Sequence, residues 1–254
     1  MGVGLFRITV AYDGTAYAGW QVQPLRATVQ GVLEGAAERL NGEPTRGPGA
    51  SRTDAGVHAR GQACRFEARR DLSAARVPHA LNAFLPEDVV VWGAAEATED
   101  FHPVRDARGK HYRYTFRVSR FEDPFARRHA LRLPRRPDVE AMRAAAGLLV
   151  GTHDFRAFEK VGSPRENTLR TLSRLDVTES GEYIHVDLLA NGFLYGMARN
   201  IAGTLLRVGE RALDAAAPAS WLADPRRGRA GPILPPHGLC LMQVFYDDPI
   251  GGNA

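Results

Sequence analysis

Two segments of this chain alternate apolar and polar residues with the two-residue period of a β-strand, and each is followed by a segment with helical spacing. The strand patterns run from Phe6 to Tyr12 and from Tyr112 to Val118. Apolar residues then recur every three or four positions at residues 28–40 and at residues 138–149. Strands that alternate with helices in this way predict layers of sheet and helix.

The same order of elements recurs in both halves of the sequence: a strand, a helix, two strands, a second helix and a closing strand. This order predicts an α+β protein of two tandem ferredoxin-like halves, each a split βαβ unit, at residues 1–104 and 105–254. The halves are expected to form one extended, mixed and largely antiparallel sheet, with helices on one face and a cleft on the other. Further strands are predicted at residues 58–68, 89–92, 169–178, 183–189 and 240–246, and further helices at 72–85, interrupted near Pro78, and at 193–208.

The composition argues against several classes of protein. Apolar residues make up 44% of the chain, enough for a packed core, and no apolar run approaches the ~20 residues of a membrane helix. The N-terminus lacks the pattern of a signal peptide, so a cytoplasmic protein is expected. Cys64 and Cys240 lack the spacing of a zinc site or a disulfide framework, so two buried structural thiols are expected.

The charge of the chain is a weaker indication of its partner. The net charge of +4 favours a polyanion. However, only Lys110 and Lys160 of the 33 basic residues are lysines, and this bias weakens any argument from the number of arginines. Two arginine-rich segments, residues 120–136 and 225–236, are the candidates for phosphate contact.

The segment from Ser51 to Ala59 places a single carboxylate, Asp54, between a polar turn and a strand. Ala55 and Gly56 leave room for a substrate beside the Asp54 backbone, and Arg52 points to the same side if the segment is extended. On these residues alone, a surface hairpin turn is the simpler interpretation. No second carboxylate, catalytic serine triad, phosphate-binding loop or metal-binding motif accompanies Asp54 in the sequence.

This segment resembles the signature of the tRNA pseudouridine synthase A family, which runs Gly-Arg-Thr-Asp-Ala-Gly-Val-His-Ala and differs here only at Ser51. The resemblance continues through blocks at residues 11–21, 28–34, 101–114, 151–158, 191–201 and 235–241. The central block departs from the family at residues 103–105, where Pro-Val-Arg replaces the usual Ala-Arg-Phe. Arg105 or Arg108 is expected to offset the arginine that is missing at Val104.

The resemblance implies a role for each matching residue of the first half. Asp54 corresponds to the essential carboxylate, which adds covalently to the sugar or base or deprotonates the sugar. Arg52 is the candidate for displacing the target base, because a uridine in a stem must be flipped out before it can react. His58 is implied to be either a structural or an RNA-contacting residue.

The second half contributes three further residues by the same resemblance. Tyr112 corresponds to the tyrosine that stacks on the target uracil and that can take the C5 proton, whereas its pattern alone indicates a core aromatic. Lys110 lies in the same block. Arg199 lies opposite the apolar stripe of its helix, so its pattern alone indicates a surface arginine; the resemblance implies that it pairs with Asp54 and lowers the pKa of that carboxyl group.

The function implied by the resemblance is isomerisation of uridine to pseudouridine at the neighbouring positions 38, 39 and 40 of the tRNA anticodon arm. It also implies a homodimer with an RNA-binding cleft, and neither a cofactor nor a metal. Three alternatives remain open: a non-catalytic RNA-binding module, a pseudouridine synthase for ribosomal RNA, and a carboxylate hydrolase, which needs a second acid that the sequence does not place.

Overall fold

The computed structural model describes residues 3–69, 72–162, 166–226 and 230–247. The chain packs as two compact units. The first runs to Arg108 and includes the C-terminal segment that begins at Leu241, and the second contains Gly109–Cys240. The sequence pattern, in contrast, grouped residues 105–254 together. The C-terminal segment joins the first unit because Met242 packs directly against Gly61, a position where a side chain would collide with the Met242 carbonyl.

The first unit is built on a sheet of long strands. Its elements are β1 (Val3–Tyr12), α1 (Val29–Asn41), β2 (His58–Arg69), α2 (Val77–Asn82) and β3 (Val89–Glu96). Strand β1 pairs antiparallel with β2 on one side and with β3 on the other. The Leu241–Phe245 part of the last strand, β9 (Leu239–Phe245), follows β2. Helix α1 begins as expected, with Thr28 Oγ1 accepting a hydrogen bond from Gly31 N–H at 3.2 Å.

Two details of the first unit differ from the sequence prediction. Only one strand, β2, lies between α1 and α2, whereas the sequence predicted two. The segment before β2 forms only an isolated bridge between Gly49 and Cys64, because Pro48 has no N–H to donate to a longer ladder. Pro78 does not interrupt a helix over 72–85. It lies in the first turn of α2, where the missing N–H costs nothing, and the helix begins at Val77.

The second unit has its own antiparallel sheet. Its elements are β4 (Gly109–Val118), β5 (Leu131–Leu133), α3 (Val139–Gly147), β6 (Gly151–Asp154), β7 (Leu169–Ser180), β8 (Tyr183–Ala190), α4 (Met197–Gly209) and α5 (Ala217–Ala223). The strand order is β4-β8-β7-β6, and β5 adds to β4 in parallel. The sequence did not predict β5, β6 and α5. Helix α4 begins at Met197 rather than near 193, because Gly196 has a left-handed φ of 71°.

The α+β class predicted from the sequence is confirmed, with mostly antiparallel strands and few helices. Cys64 is buried as expected, whereas Cys240 is half-buried. None of the described helices is long and apolar enough to span a membrane.

Candidate active site

The six predicted site residues divide between the two units. Arg52, Asp54 and His58 lie in the first unit, within or just after the loop that enters β2. The remaining three lie in the second unit: Lys110 and Tyr112 on β4, and Arg199 on α4. The structure therefore supports the two groups by different elements, and each group has its own local geometry.

The loop that carries Asp54 ends in a tight turn. Val57 N–H donates to the Asp54 carbonyl at 3.1 Å. Gly56 has a φ of 76° at the third position of this turn, a conformation that L side chains rarely adopt. The Asp54 side chain is half-buried, and Arg52 is exposed. The Asp-Ala-Gly-Val sequence thus folds the backbone back immediately after the carboxylate.

The start of the loop is held by one buried amide. Gln62 on β2 is fully buried; its Nε2 donates to the Ser51 carbonyl at 2.6 Å, and its Oε1 accepts from Ser51 N–H at 3.1 Å. Both bonds involve the Ser51 backbone, which glycine provides equally well. The departure from the family signature at Ser51 therefore preserves this contact.

The middle of the loop is held by the segment that follows β1. Trp20 N–H donates to the Thr53 carbonyl at 3.0 Å, and Gly56 N–H donates to the Tyr17 carbonyl at 3.3 Å. The Tyr12 hydroxyl lies 2.7 Å from Thr53 Oγ1, and both side chains are buried. The N-terminal block of the resemblance is therefore the support of the Asp54 loop.

Gly19 makes the closest approach to this loop. Its φ is 96°, and a Cβ atom there would lie 2.6 Å from the Thr53 carbonyl oxygen and 3.1 Å from Ala55 N. Distances below 3.0 Å are not tolerated by real Cβ atoms, so the loop adopts this position only against a glycine. Sequence reasoning placed Gly19, Trp20 and Tyr12 in a matching block but assigned them no role, and it did not identify Gln62.

His58 connects the start of β2 to the end of β1. It is 4% exposed, and its Nδ1 accepts a hydrogen bond from Gly14 N–H at 3.0 Å. Asp13 Oδ1 lies 3.1 Å from the same nitrogen. Of the two roles left open for His58, this geometry supports the structural one.

Next to this loop, a buried phenol binds a carboxylate. The Tyr17 hydroxyl donates to Asp88 Oδ1 at 2.6 Å. Burial, together with this bond, raises the pKa of Tyr17, so the phenol stays protonated. Asp13 N–H also donates to the Asp88 carbonyl, at 2.9 Å. The ends of β1 and β3 are therefore joined beside the Asp54 loop.

Tyr112 is packed among apolar groups in the second unit. It is 6% exposed, and its ring meets Phe193 edge to face, with 4.9 Å between the centroids and 77° between the planes. Lys110 precedes it by two residues and therefore shares its face of β4. Across the strand, Tyr112 pairs with Leu188 on β8.

The opposite face of β4 carries a polar network. Asp187 on β8 lies 2.6 Å from His111 Nε2, and it accepts two hydrogen bonds from Arg113, at 2.8 and 3.0 Å. Burial of Asp187 opposes ionisation, but the bonds from His111 and Arg113 prevail and lower its pKa to about 2. The face of β4 opposite Tyr112 thus carries a charged and hydrogen-bonded network.

Arg199 is half-buried rather than on the surface that its helical pattern alone indicated. Its Nε donates to the Leu234 carbonyl at 2.6 Å. One turn further along α4, a Cβ atom on Gly203 would lie 2.0 Å from the Pro232 carbonyl oxygen. A loop far along the chain therefore covers the side of α4 that the pattern left polar, and its carbonyl orients the guanidinium.

Tyr114 is connected to the same loop. Its hydroxyl donates to the Pro235 carbonyl at 2.9 Å, and its side chain is fully buried. Burial raises the pKa of Tyr114, and the positive charge of Arg199 acts in the opposite direction. Neighbouring carbonyls of this loop are thus held by Arg199 and by Tyr114.

The two arginines expected to offset the missing family arginine form surface ion pairs. Arg105 Nε bonds to Asp106 at 2.7 Å, and Arg108 Nε bonds to both oxygens of Asp247 at 2.9 Å. These bonds lower the pKa of both carboxyl groups. Val104 itself is 52% exposed. In this conformation both guanidinium groups are engaged by carboxylates.

Of the two arginine-rich segments, residues 120–136 are described in full and residues 225–236 only in part. In residues 120–136, Phe121 and Phe125 are 70% and 90% exposed, and the Arg120 guanidinium lies 5.1 Å from the Phe121 ring centroid. In the second segment, Arg226 pairs with Asp224 at 3.1 Å. The predicted phosphate contacts at Arg227 and Arg229 lie outside the described residues.

Comparison with known proteins identifies the relatives of this chain. The family model described as tRNA pseudouridine synthase matches residues 8–104 and 145–247. A protein named tRNA pseudouridine synthase A from Moorella thermoacetica is 46% identical over 242 residues, which cover 94% of this chain and 98% of that protein. Proteins of the same name from Geobacter sp. strain M21 and Thermoanaerobacter sp. strain X514 are 41% and 39% identical, over 95% and 94% of this chain and 98% of each relative.

Proposed function

The chain belongs to the tRNA pseudouridine synthase family, and we propose that it modifies uridines 38, 39 and 40 of the tRNA anticodon arm with Asp54 as its nucleophile. As a member of this family it is an isomerase that converts uridine in tRNA to pseudouridine. The observation that best supports Asp54 is the rigid presentation of its loop. Gln62 donates a hydrogen bond to Ser51, the residue before Arg52. Trp20 donates one to Thr53, the residue before Asp54.

This rigidity suits the chemistry of the reaction. The bond between the ribose and uracil N1 breaks, the base turns, and a bond forms from uracil C5 to the ribose, while C5 loses a proton and N1 gains one. An ionised carboxylate can assist by adding to the sugar or base, or by removing a proton from the sugar. Either route requires the carboxylate close to the anomeric carbon, and misplacement by about 1 Å can cost a factor of 10² in rate.

The other predicted residues complete the proposal. Tyr112 stacks on the flipped uracil and relays the C5 proton, directly or through water: its hydroxyl oxygen accepts that proton as the hydroxyl's own proton passes to solvent. Arg199 pairs with the Asp54 carboxylate and holds its orientation, and the Leu234 carbonyl supports this role by orienting the guanidinium. Arg52, which is exposed, occupies the space that the flipped base leaves. Lys110 contacts the RNA, and His58 supports the loop.

The proposal is tested with tRNA transcript that carries tritium at uracil C5, because pseudouridine formation releases this tritium to water. Wild type should release it, and Asp54→Asn and Asp54→Ala should release none within the sensitivity of the assay. Asp100→Asn is a matched control, since Asp100 is an exposed carboxylate in the same unit. It should keep wild-type activity. Release by Asp54→Ala at the wild-type rate would exclude Asp54 as the nucleophile.

The sites of modification need a separate experiment. Three transcripts, each with uridine at only one of positions 38, 39 and 40, should all be modified. A transcript without uridine at these positions should be inert. Modification of the last transcript, or of a ribosomal RNA fragment in preference to tRNA, would overturn the assignment of the target. The homodimer and the cytoplasmic location stay predictions.

A further inference from the structure

Trp92 is an unusually exposed tryptophan. Its side chain is 50% exposed on β3, whereas Trp20 in the same unit is 1% exposed. Beside it lies Arg60 of β2, whose guanidinium carbon is 6.0 Å from the centre of the indole ring. A large exposed aromatic surface costs free energy in water, so its presence beside an arginine suggests a partner.

Trp92 lies at an irregularity of β3. Thr9 of β1 pairs with Gly93 and Val10 pairs with Val91, so Trp92 is the extra residue of a β-bulge. Val89 and Val91 are buried, and Asn82 of α2 exchanges two hydrogen bonds with the Val91 backbone, at 2.8 and 2.9 Å. The bulge therefore leaves the indole exposed while the valines before it stay in the core.

The pair also lies at the end of the sheet that carries the Asp54 loop. Tyr12, at the end of β1, pairs with Ala59 on one side and with Val89 on the other. Arg60 follows Ala59, and Trp92 is three residues beyond Val89. Adjacent strands are ~4.8 Å apart, so β2 and β3 are about 10 Å apart across β1, and the Arg60 and Trp92 side chains close this gap to 6.0 Å.

The charge of this surface fits an anionic partner. Arg60 and Arg52 are both exposed. Within the described ranges Arg60 forms no ion pair with a carboxylate, in contrast to Arg105 and Arg108. A guanidinium beside an exposed indole offers both of the contacts that single-stranded RNA uses: a ring for the base to stack on and a cation for its phosphate.

We propose that Trp92 and Arg60 form a nucleotide-binding subsite for the tRNA substrate, separate from the target uridine. This inference rests on the proposed function. A base of the anticodon arm stacks on the Trp92 indole, and the adjoining phosphate contacts the Arg60 guanidinium. The subsite anchors the RNA beside the Asp54 loop while the target base is flipped, so it contributes to substrate binding more than to the chemical step.

Substitution of the pair should therefore affect KM more than kcat. Base-aromatic stacking is worth enough that Trp92→Ala should raise KM for tRNA about tenfold, with a much smaller change in kcat. Trp92→Phe should recover most of this loss. Arg60→Ala should reduce the slope of log Kd against log salt by about one, as expected for the loss of one phosphate contact.

The chain contains a matched control pair. The Arg39 guanidinium lies 4.5 Å from the centre of the Phe84 ring, in the same unit but between α1 and the residues after α2. Arg39→Ala removes the same charge, and Phe84→Leu removes a comparable ring. Neither should change KM or the salt slope. Equal effects of Arg39→Ala and Arg60→Ala would show that only net charge matters, and would overturn the subsite.

Fluorescence gives a readout that does not depend on catalysis. Titration of tRNA into the Asp54→Asn variant should quench the fluorescence of Trp92. This fluorescence is the difference between Asp54→Asn and the double variant Asp54→Asn/Trp92→Phe, which keeps the other two of the 3 tryptophans. Binding of tRNA without this quench would overturn the subsite. An altered sedimentation of Trp92→Ala with unchanged tRNA affinity would also overturn it, and would indicate a contact between copies of the chain. The proposed function would stand in either case if wild type releases tritium.

Discussion

The Asp54 loop of the first unit and Tyr112 of the second are supported by different kinds of contact. In the first, the Asp54 loop is held by hydrogen bonds with Tyr12, Trp20 and Gln62, none of which is adjacent to it in sequence. In the second, Tyr112 is held by apolar packing against Phe193. Hydrogen bonds fix direction as well as distance, whereas apolar contacts fix position and tolerate rotation.

This difference suits the two proposed roles. A nucleophilic carboxylate must approach one carbon atom along one direction, so a loop with several directional bonds is appropriate. A stacking ring needs a position and a plane, which packing supplies. The comparison teaches that the Asp54 loop should lose activity through single polar or steric changes in its support. The position of Tyr112 should depend on its ring contact with Phe193.

The largest effect is expected from Gly19→Ala. The new Cβ atom would lie 2.6 Å from the Thr53 carbonyl oxygen, at a φ of 96° that alanine rarely adopts. We expect a loss of about 3 kcal/mol in the free energy of unfolding, from strain and from displacement of the loop. Because the loop carries Asp54, kcat should fall by about 10² or more. Urea denaturation and tritium release measure the two quantities.

Gly35→Ala is the matched control for this substitution. Gly35 is exposed within α1, and an added Cβ atom there meets nothing within 4 Å. Alanine should stabilise the helix by about 0.5–1 kcal/mol and leave kcat unchanged. If both glycine variants lowered kcat alike, the close approach of Gly19 to the loop would not be the cause.

The next effect in size is expected from Gln62→Leu. Leucine removes both bonds to Ser51 and leaves a buried backbone N–H and carbonyl without that partner, which should cost about 2–3 kcal/mol of unfolding free energy. The kcat should fall about tenfold, since the loop loses its first anchor. Gln243→Leu, an exposed change on β9, should alter neither. A stable Gln62→Leu enzyme with wild-type kcat would contradict the directional support of the loop.

Much of the fold could be predicted because long elements carry a clear period. The strand pattern from Phe6 and the cap at Thr28 led to β1 and α1, and Asp138 caps α3 by accepting from Ala141 N–H at 3.0 Å. Strand β5 and helix α5 could not be found, since 3 and 7 residues are too few to show a period.

The site could be predicted only in part. Asp54 was proposed because its segment resembles a known signature, and its role stays a prediction. The periodicity that identifies strands and helices gives no information about a loop. Gln62 and Gly19 support that loop through contacts set by strand register and backbone conformation, neither of which a residue pattern encodes. The helical pattern of α4 alone placed Arg199 on the surface. The loop that covers it contains Leu234, more than 30 residues later in the chain, and the periodicity of a helix gives no information about such a distant contact.

A smaller, pH-dependent effect is expected from Asp187 in the second unit. Its folded-state pKa, about 2, lies below the ordinary value of 3.8, so its contribution to stability is complete above about pH 4 and is lost as the pH falls towards 2. The shift corresponds to about 2 kcal/mol. Asp187→Asn should therefore be less stable than wild type at pH 6, and the difference should narrow below pH 4. Parallel curves of unfolding free energy against pH would refute this.

The smallest change in stability is expected from Tyr112→Phe, which keeps the ring and removes only the hydroxyl. Its free energy of unfolding should stay within about 1 kcal/mol of wild type, because the edge-to-face contact with Phe193 is retained. Its kcat should nevertheless fall, since the hydroxyl is the proposed acceptor of the C5 proton. Phe193→Leu is the converse variant, because it keeps the Tyr112 hydroxyl and removes the supporting ring. Its free energy of unfolding should fall by more than that of Tyr112→Phe, and its kcat should fall by less. If kcat followed stability in both variants, Tyr112 would act through packing alone, and the two units would differ less than their contacts indicate.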